Sequence, residues 1–272
     1  MNFDFNMRKC LEWDSLAPIY DLVWPRSEDF GFYLQQAACQ GDPILEIGCG
    51  TGRLSCHLAE QGYNVVGIDI SQGQIRQAEK RHHLLSDAAR NRLALQVEDA
   101  AVFVRPNRFA LVIAAFSTMF EVGGPEARVR IYERAHENLR AGGKLAIDNS
   151  FIGTAELAHW GKPRPSGVRQ LLRTFREDGS ESRDVFCYET QVYSGDLMVL
   201  TLALERKDPD GSVRETQYTV TRHYATPEQT ITELSAAGFT EIEVYGGYEQ
   251  ERIGDPALQG RGRQVFLARK TL

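Results

Sequence analysis

Three glycines alternate at positions 48, 50 and 52 in Ile44-Leu45-Glu46-Ile47-Gly48-Cys49-Gly50-Thr51-Gly52, directly after a short apolar run. A second apolar run, from Tyr63 to Ile68, ends in Asp69, 21 residues beyond Gly48. Glycines at the end of a strand let the backbone turn sharply and approach a ligand closely. An acid at the tip of the next strand can accept hydrogen bonds from ribose hydroxyls. The chemistry implied is the binding of a nucleoside. A dinucleotide fingerprint would place its third glycine where this chain has Arg53, and Glu46 would repel a pyrophosphate. A ligand with a ribose, an ammonium group and no phosphate suits these residue types better.

Those residues need elements to hold them. Apolar runs predict strands over 44–47, 64–68, 93–97, 111–115 and 144–148. Between them lie helical patterns: Leu54 and Leu58 four apart, Ile75 and Ala78 after a capping Ser71, and Ile131, Ala135 and Leu139 after Pro125. Ser27 is read as the cap of a helix to about 38, and Gly142-Gly143 as the stop of the helix from Pro125. Alternating strands and helices of these lengths make a parallel sheet covered on both faces. From 168 to 223 the period changes to that of strands, over 170–176, 185–193, 197–206 and 213–222. Asp208-Pro209-Asp210-Gly211 is a turn that should pair its flanking strands antiparallel. The α/β pattern resumes with the capping box Thr226-Pro227-Glu228-Gln229, then strands over 241–244 and 264–269. The expected division is an N-terminal helical lid over 1–40, a main domain over 41–150 and 224–272, and an antiparallel β insertion over 151–223 covering the acceptor site. One face of its third strand is apolar, with Met198, Leu200, Leu202 and Leu204 at alternate positions, and needs a partner.

Leu45-Glu46-Ile47-Gly48-Cys49-Gly50-Thr51-Gly52, followed by Val66-Gly67-Ile68-Asp69-Ile70-Ser71, resembles the opening motifs of class I S-adenosylmethionine-dependent methyltransferases. The resemblance continues through Glu98-Asp99-Ala100, Phe109 to Ser117, and Leu139 to Leu145. It implies a doubly wound, Rossmann-like α/β fold with seven strands, six parallel and the last antiparallel, and S-adenosylmethionine as cofactor. Implied cofactor contacts are Glu46 at the amino-acid end, Gly48, Cys49, Gly50 and Gly52 in the turn, and Asp69 on the ribose. Ile70 is expected on an adenine face, Asp99 and Ala100 on the adenine edge, and Ala115 and Phe116 at the methyl end. Asp69 and Asp99 also suit the plainer role of capping a following helix. Ala110 stands where many members carry a structural aspartate. Ala17-Pro18-Ile19-Tyr20-Asp21 resembles the lid of sugar N-methyltransferases and glycine/sarcosine methyltransferases, where the tyrosine closes over the cofactor. Tyr20 is therefore a candidate for both binding and catalysis.

Of the six histidines, none pairs at metal-ligand spacing, and no metal is expected. His223, between Arg222 and Tyr224 where the insertion rejoins the sheet, is the candidate general base. Arg222, Tyr224, Asp148, Asn149 and Trp160 are candidates to shape an acceptor pocket. A net charge of −6 gives no footprint for nucleic acid, and no apolar run approaches a membrane span. Five cysteines without a Cys-x-x-Cys pair suit free thiols in a reducing, cytoplasmic setting. The expected reaction is methyl transfer to nitrogen, or less readily oxygen, of a small-molecule acceptor, with a homodimer possible. The alternatives are a nicotinamide-dependent oxidoreductase on the same sheet, and a non-catalytic S-adenosylmethionine-binding protein.

Overall fold

The computed structural model describes residues 11–150, 166–177, 183–208, 210–252 and 263–271. Trp160, the Pro209 turn residue and most of the glycine-rich stretch before the last strand lie outside them.

β1 (Ile44–Ile47) is four residues of apolar and acidic side chain, all buried. It lies centrally, between β2 (Val65–Asp69) and β4 (Phe109–Ala114), and pairs with both in parallel. β3 (Leu93–Val97) flanks β2, and β5 (Leu139–Ser150) flanks β4. β11 (Arg263–Arg269) runs antiparallel to β5 and to β10 (Thr240–Tyr245). The order is β10-β11-β5-β4-β1-β2-β3, so six strands run one way and β11 alone the other. Two apolar clusters cover the two faces, one around Phe109, Tyr132, Ile147 and Phe266, the other around Tyr33, Leu54, Leu58 and Leu111.

The helices, in chain order, are α1 (Tyr20–Val23), α2 (Phe30–Gln40), α3 (Arg53–Glu60), α4 (Gln72–His83), α5 (Asp87–Arg90), α6 (Thr118–Glu121), α7 (Pro125–Asn138) and α8 (Pro227–Ala236). Residues 11–16 are also helical, and the chain turns at 17–19, where Pro18 interrupts it. Ser71 caps α4 by accepting from Gln74 N–H, and Thr226 with Gln229 forms the capping box of α8. Two boundaries differ from expectation. α2 begins at Phe30 behind Asp29, so Ser27 does not cap it. α7 stops at Asn138, and Leu139 is already extended and paired with Phe109. Pairing with Phe109 of β4 claims Leu139 before the Gly142-Gly143 turn is reached.

β6 (Gln170–Glu177), β7 (Arg183–Ser194), β8 (Leu197–Lys207) and β9 (Val213–His223) form a second, antiparallel sheet in that order. The apolar face of β8 is covered within this chain. Met198, Leu200, Leu202 and Leu204 cluster with Leu16, Ile19 and Val23 of the N-terminal segment. Each such side chain removed from water contributes about 1.5–3 kcal/mol. The N-terminal segment and the second sheet therefore share one apolar cluster.

Candidate active site

The C-terminal ends of β1, β2 and β4 open into a cleft of about 880 Å³. Clefts of this size hold ligands larger than a single nucleoside. The glycine turn forms its floor, and each glycine has a separate reason to be there. A Cβ on Gly48 would lie 2.5 Å from the Thr118 methyl, at a φ of +66°. Gly50 has a φ of +55°, and a Cβ there would meet only the Gln74 side chain, at an ordinary 3.8 Å. Gly52 does not line the cleft. A Cβ there would meet Ala78 of α4 at 2.9 Å, so this glycine serves close packing between α3 and α4. Cys49 lines the cleft but is buried, and burial pushes its thiol well above the ordinary range.

Glu46 and Asp69 stand at the tips of adjacent strands, and both line the cleft. Glu46 is 3% exposed and accepts a short hydrogen bond from the Ser55 hydroxyl. Burial raises its carboxyl to about 8 despite that bond. Asp69 accepts from Gly50 N–H at 2.9 Å and from Ser71 N–H at 2.8 Å. Burial raises it to about 6, with Asp14 adding in the same direction. A buried carboxyl with lone pairs to spare suits donors that arrive with a ligand: hydroxyls at Asp69 and an ammonium at Glu46. Ile70, Asp99 and Ala100 line the wall beyond β2 and β3. Asp99 also accepts from Ala101 N–H at 2.8 Å, so the capping role and the place at the cleft coincide.

Beyond β4 the backbone is strained. Phe116 and Ser117 have φ of +55° and +68°, unusual for non-glycine residues and a feature that clusters at functional sites. Asp148 holds this turn. Its carboxylate accepts from Phe116 N–H and Tyr33 Oη at 2.7 Å each, from Arg263 Nη1 at 2.6 Å and from Tyr248 Oη at 3.0 Å. Fully buried and fully occupied, Asp148 shapes the cleft through Phe116 rather than by lining it. Asn149 is also fully buried and does not line the cleft.

Tyr20 reaches the cleft from the lid. Its ring lies among Trp13, Trp24 and Phe116, at centroid distances of 6.0, 5.1 and 6.5 Å. Burial raises its phenol above the ordinary range, so it stays protonated. Two lid acids fix it in place. Asp14 accepts from the Ser71 hydroxyl at 2.5 Å and Gly73 N–H at 2.6 Å, at the start of α4. Asp21 accepts from Thr51 Oγ1 at 2.8 Å, in the glycine turn, and from Arg81 at 2.6 Å. Sequence reasoning missed Asp14. The Tyr20-Asp21 pairing was the available signal for Asp21.

Arg222 at the end of β9 enters the cleft and pairs with Glu121 of α6. Both carry charge felt by Tyr20. The neighbouring candidates do not line the cleft. His223 Nδ1 faces Asp196 at 3.5 Å and packs beside Gly124, because alternation along the strand sends it away from Arg222. Tyr224 packs on Phe120 and donates to Met198 Sδ at 3.4 Å. Among the described residues no cluster of three or more His, Cys, Asp or Glu is placed to hold a metal, and no helix is long and apolar enough to cross a membrane.

Residues 44–143, from β1 through the turn after α7, match the family model of the methyltransferase domain. This part of the chain is similar to a methyltransferase domain. It contains the whole glycine turn, Asp69, Asp99 and Phe116. The fold of the chain is similar to that of CcbJ methyltransferase from Streptomyces caelestis, at 19% identity and a TM-score of 0.76, over 97% of this chain and 99% of that one. The S-adenosylmethionine-bound amino pentose methyltransferase CalS10 from Micromonospora echinaspora is similar at 20% identity and a TM-score of 0.70, over 93% and 97%. At such identities the likeness is one of fold. A ubiquinone biosynthesis O-methyltransferase from Pseudomonas aeruginosa is 30% identical over 113 residues, 42% of this chain. The chain spans 46% of that relative's length.

Proposed function

We propose that the protein binds S-adenosylmethionine over β1, β2 and β4 and transfers its methyl group to a nitrogen of a small molecule. The carrying observation is the Glu121 carboxylate, held by Arg222 in the cleft close to Tyr20 and one helix beyond Phe116. An anionic group at the acceptor end attracts and orients an amine, and it can accept the proton the amine must lose. The cofactor, when bound, supplies a methyl group already activated by the sulfonium. The protein's own task is alignment and exclusion of water. Asp69 takes the ribose, Glu46 the ammonium, and Ile70, Asp99 and Ala100 the adenine. Phe116 and Tyr20 close the methyl end. Glu121 would orient the acceptor amine towards that methyl group, and it or solvent would take the proton the amine loses.

The fold of CalS10, an amino pentose methyltransferase, and of the sugar N-methyltransferase KedS8 supports nitrogen as the target. The likeness to an O-methyltransferase covers under half of this chain, whereas that to CalS10 covers 93% of it. Matched amines and alcohols on one carbon skeleton provide the test, with methylated product read by mass spectrometry. Methylated amine without methylated alcohol is the expected result. Methylated alcohol alone would assign the reaction to oxygen.

A further inference from the structure

Arg53 is a charge in the cleft that the proposed function leaves without a task. It follows the third glycine and lines the cleft, and its side chain is 13% exposed. Nη1 and Nη2 each donate to one oxygen of Asp29 at 2.6 Å, and Nη1 donates again to the Arg26 carbonyl at 3.3 Å. Three of the guanidinium's five N–H groups are thereby used. The two that remain, on Nε and Nη2, lie parallel along its other edge, and no described residue accepts from them. Such a parallel pair is the shape that a carboxylate takes with both oxygens.

The surroundings fix that edge. The guanidinium carbon stands 4.9 Å from the Phe30 ring and 5.8 Å from the Phe116 ring. Asp29 is itself 2% exposed, so the pair cannot swing apart without leaving a charge buried. Glu46 is near enough to feel Arg53's charge, yet the two make no hydrogen bond. An α-amino acid carries its ammonium and carboxylate on one carbon, so their partners must stand close together with opposite charge. Glu46 and Arg53 meet that requirement. The other cleft cations do not: Arg222 is engaged by Glu121, and Arg130 stands on α7, a turn from Glu126.

We propose that the open edge of Arg53 takes the carboxylate of the cofactor's methionine tail, with Asp29 as the positioning residue that aims it. This rests on the proposed cofactor. It separates two parts of recognition: Asp69 and its neighbours read the nucleoside, and Glu46 with Arg53 read the amino acid.

The test is calorimetry on the full chain with two probes, S-adenosylhomocysteine and 5′-methylthioadenosine. The second has the same nucleoside and a thioether but no amino-acid tail. Arg53→Gln should weaken S-adenosylhomocysteine by about 10- to 100-fold, the loss expected for charge-assisted hydrogen bonds, and leave methylthioadenosine within about twofold. Arg53→Lys, which keeps the charge but not the fork, should show the same pattern in smaller degree. Asp29→Asn should also lower the ratio of the two affinities. Arg53→Gln strands Asp29, so the pair Arg53→Gln/Asp29→Asn is the variant to use if the single one fails to fold. Retained methylthioadenosine binding is the internal check of the fold. Equal losses for both probes, or no loss for S-adenosylhomocysteine, would overturn the assignment. If the unaltered protein binds neither probe, the cofactor reading fails first, and this inference with it.

Discussion

Glu46 and Asp69 are carboxyls that burial pulls towards the neutral form, and their response to a ligand is the most direct consequence at the scale of single residues. Burial raises the Glu46 carboxyl to about 8, well above an ordinary glutamate. The folded state therefore holds a proton that the unfolded state has lost between about pH 4.5 and 8, and stability falls as pH rises through that window. An ammonium beside Glu46 favours the carboxylate, so ligand binding at pH 7 should expel that proton. Calorimetry with S-adenosylhomocysteine in buffers of different ionisation enthalpy should show proton release, and Glu46→Gln should abolish it. Heats independent of buffer would remove Glu46 from the ammonium site. Asp69→Ala should weaken S-adenosylhomocysteine by about 2–3 kcal/mol, the worth of two hydrogen bonds to a charged acceptor, with little effect on folding. Unchanged affinity would place the ribose elsewhere. The roles proposed for Gly48, Gly50 and Asp69 were legible because strand, turn and acid are contiguous patterns. His223 was named on residue type alone; the alternation of β9 places Arg222, not His223, in the lining of the cleft. Arg53 entered the sequence reading only as a break in a glycine pattern. Nothing in the sequence pairs it with Asp29, 24 residues away.

At the scale of elements the lid is held by specific bonds rather than by apolar packing alone. Asp14 adds to the cap of α4 and Asp21 ties α1 to the glycine turn. Asp21→Ala removes the tie to Thr51 and Arg81, each bond contributing about 1 kcal/mol net. The expected outcome is faster dissociation of S-adenosylhomocysteine, measured by stopped-flow fluorescence of the nearby tryptophans, with the melting temperature of the ligand-free protein lowered by only a few degrees. Dissociation at the unaltered rate would show that the lid does not gate the cleft. Strand and helix positions followed from period and capping almost throughout, including all four strands of the second sheet. Both misplaced boundaries concern elements whose ends are set by partners far along the chain. α7 ends where Leu139 finds Phe109, and α2 begins behind an Asp29 that is bound to Arg53.

For the whole molecule, the N-terminal segment and the second sheet share one core. Leu16, Ile19 and Val23 close the apolar face that β8 presents. The sequence showed that this face needs a partner but could not say which, because hydrophobicity carries no address. The arrangement makes the insertion a support for the lid as well as the bearer of Arg222. Replacing residues 168–223 with a short Gly/Ser linker should abolish methyl transfer. It should also loosen the lid and so weaken cofactor binding, which a second sheet remote from the cofactor would not do. Normal turnover by a folded, shortened protein would reduce the insertion to an ornament.

The account turns on which nucleoside the cleft accepts, and a calorimetric titration of the full chain with S-adenosylhomocysteine, beside one with NAD, asks this directly. The arrangement of Glu46, the glycine turn and Asp69 predicts saturable binding of S-adenosylhomocysteine, lost in Asp69→Ala, and no heat from NAD. Binding of NAD with no response to S-adenosylhomocysteine would contradict it.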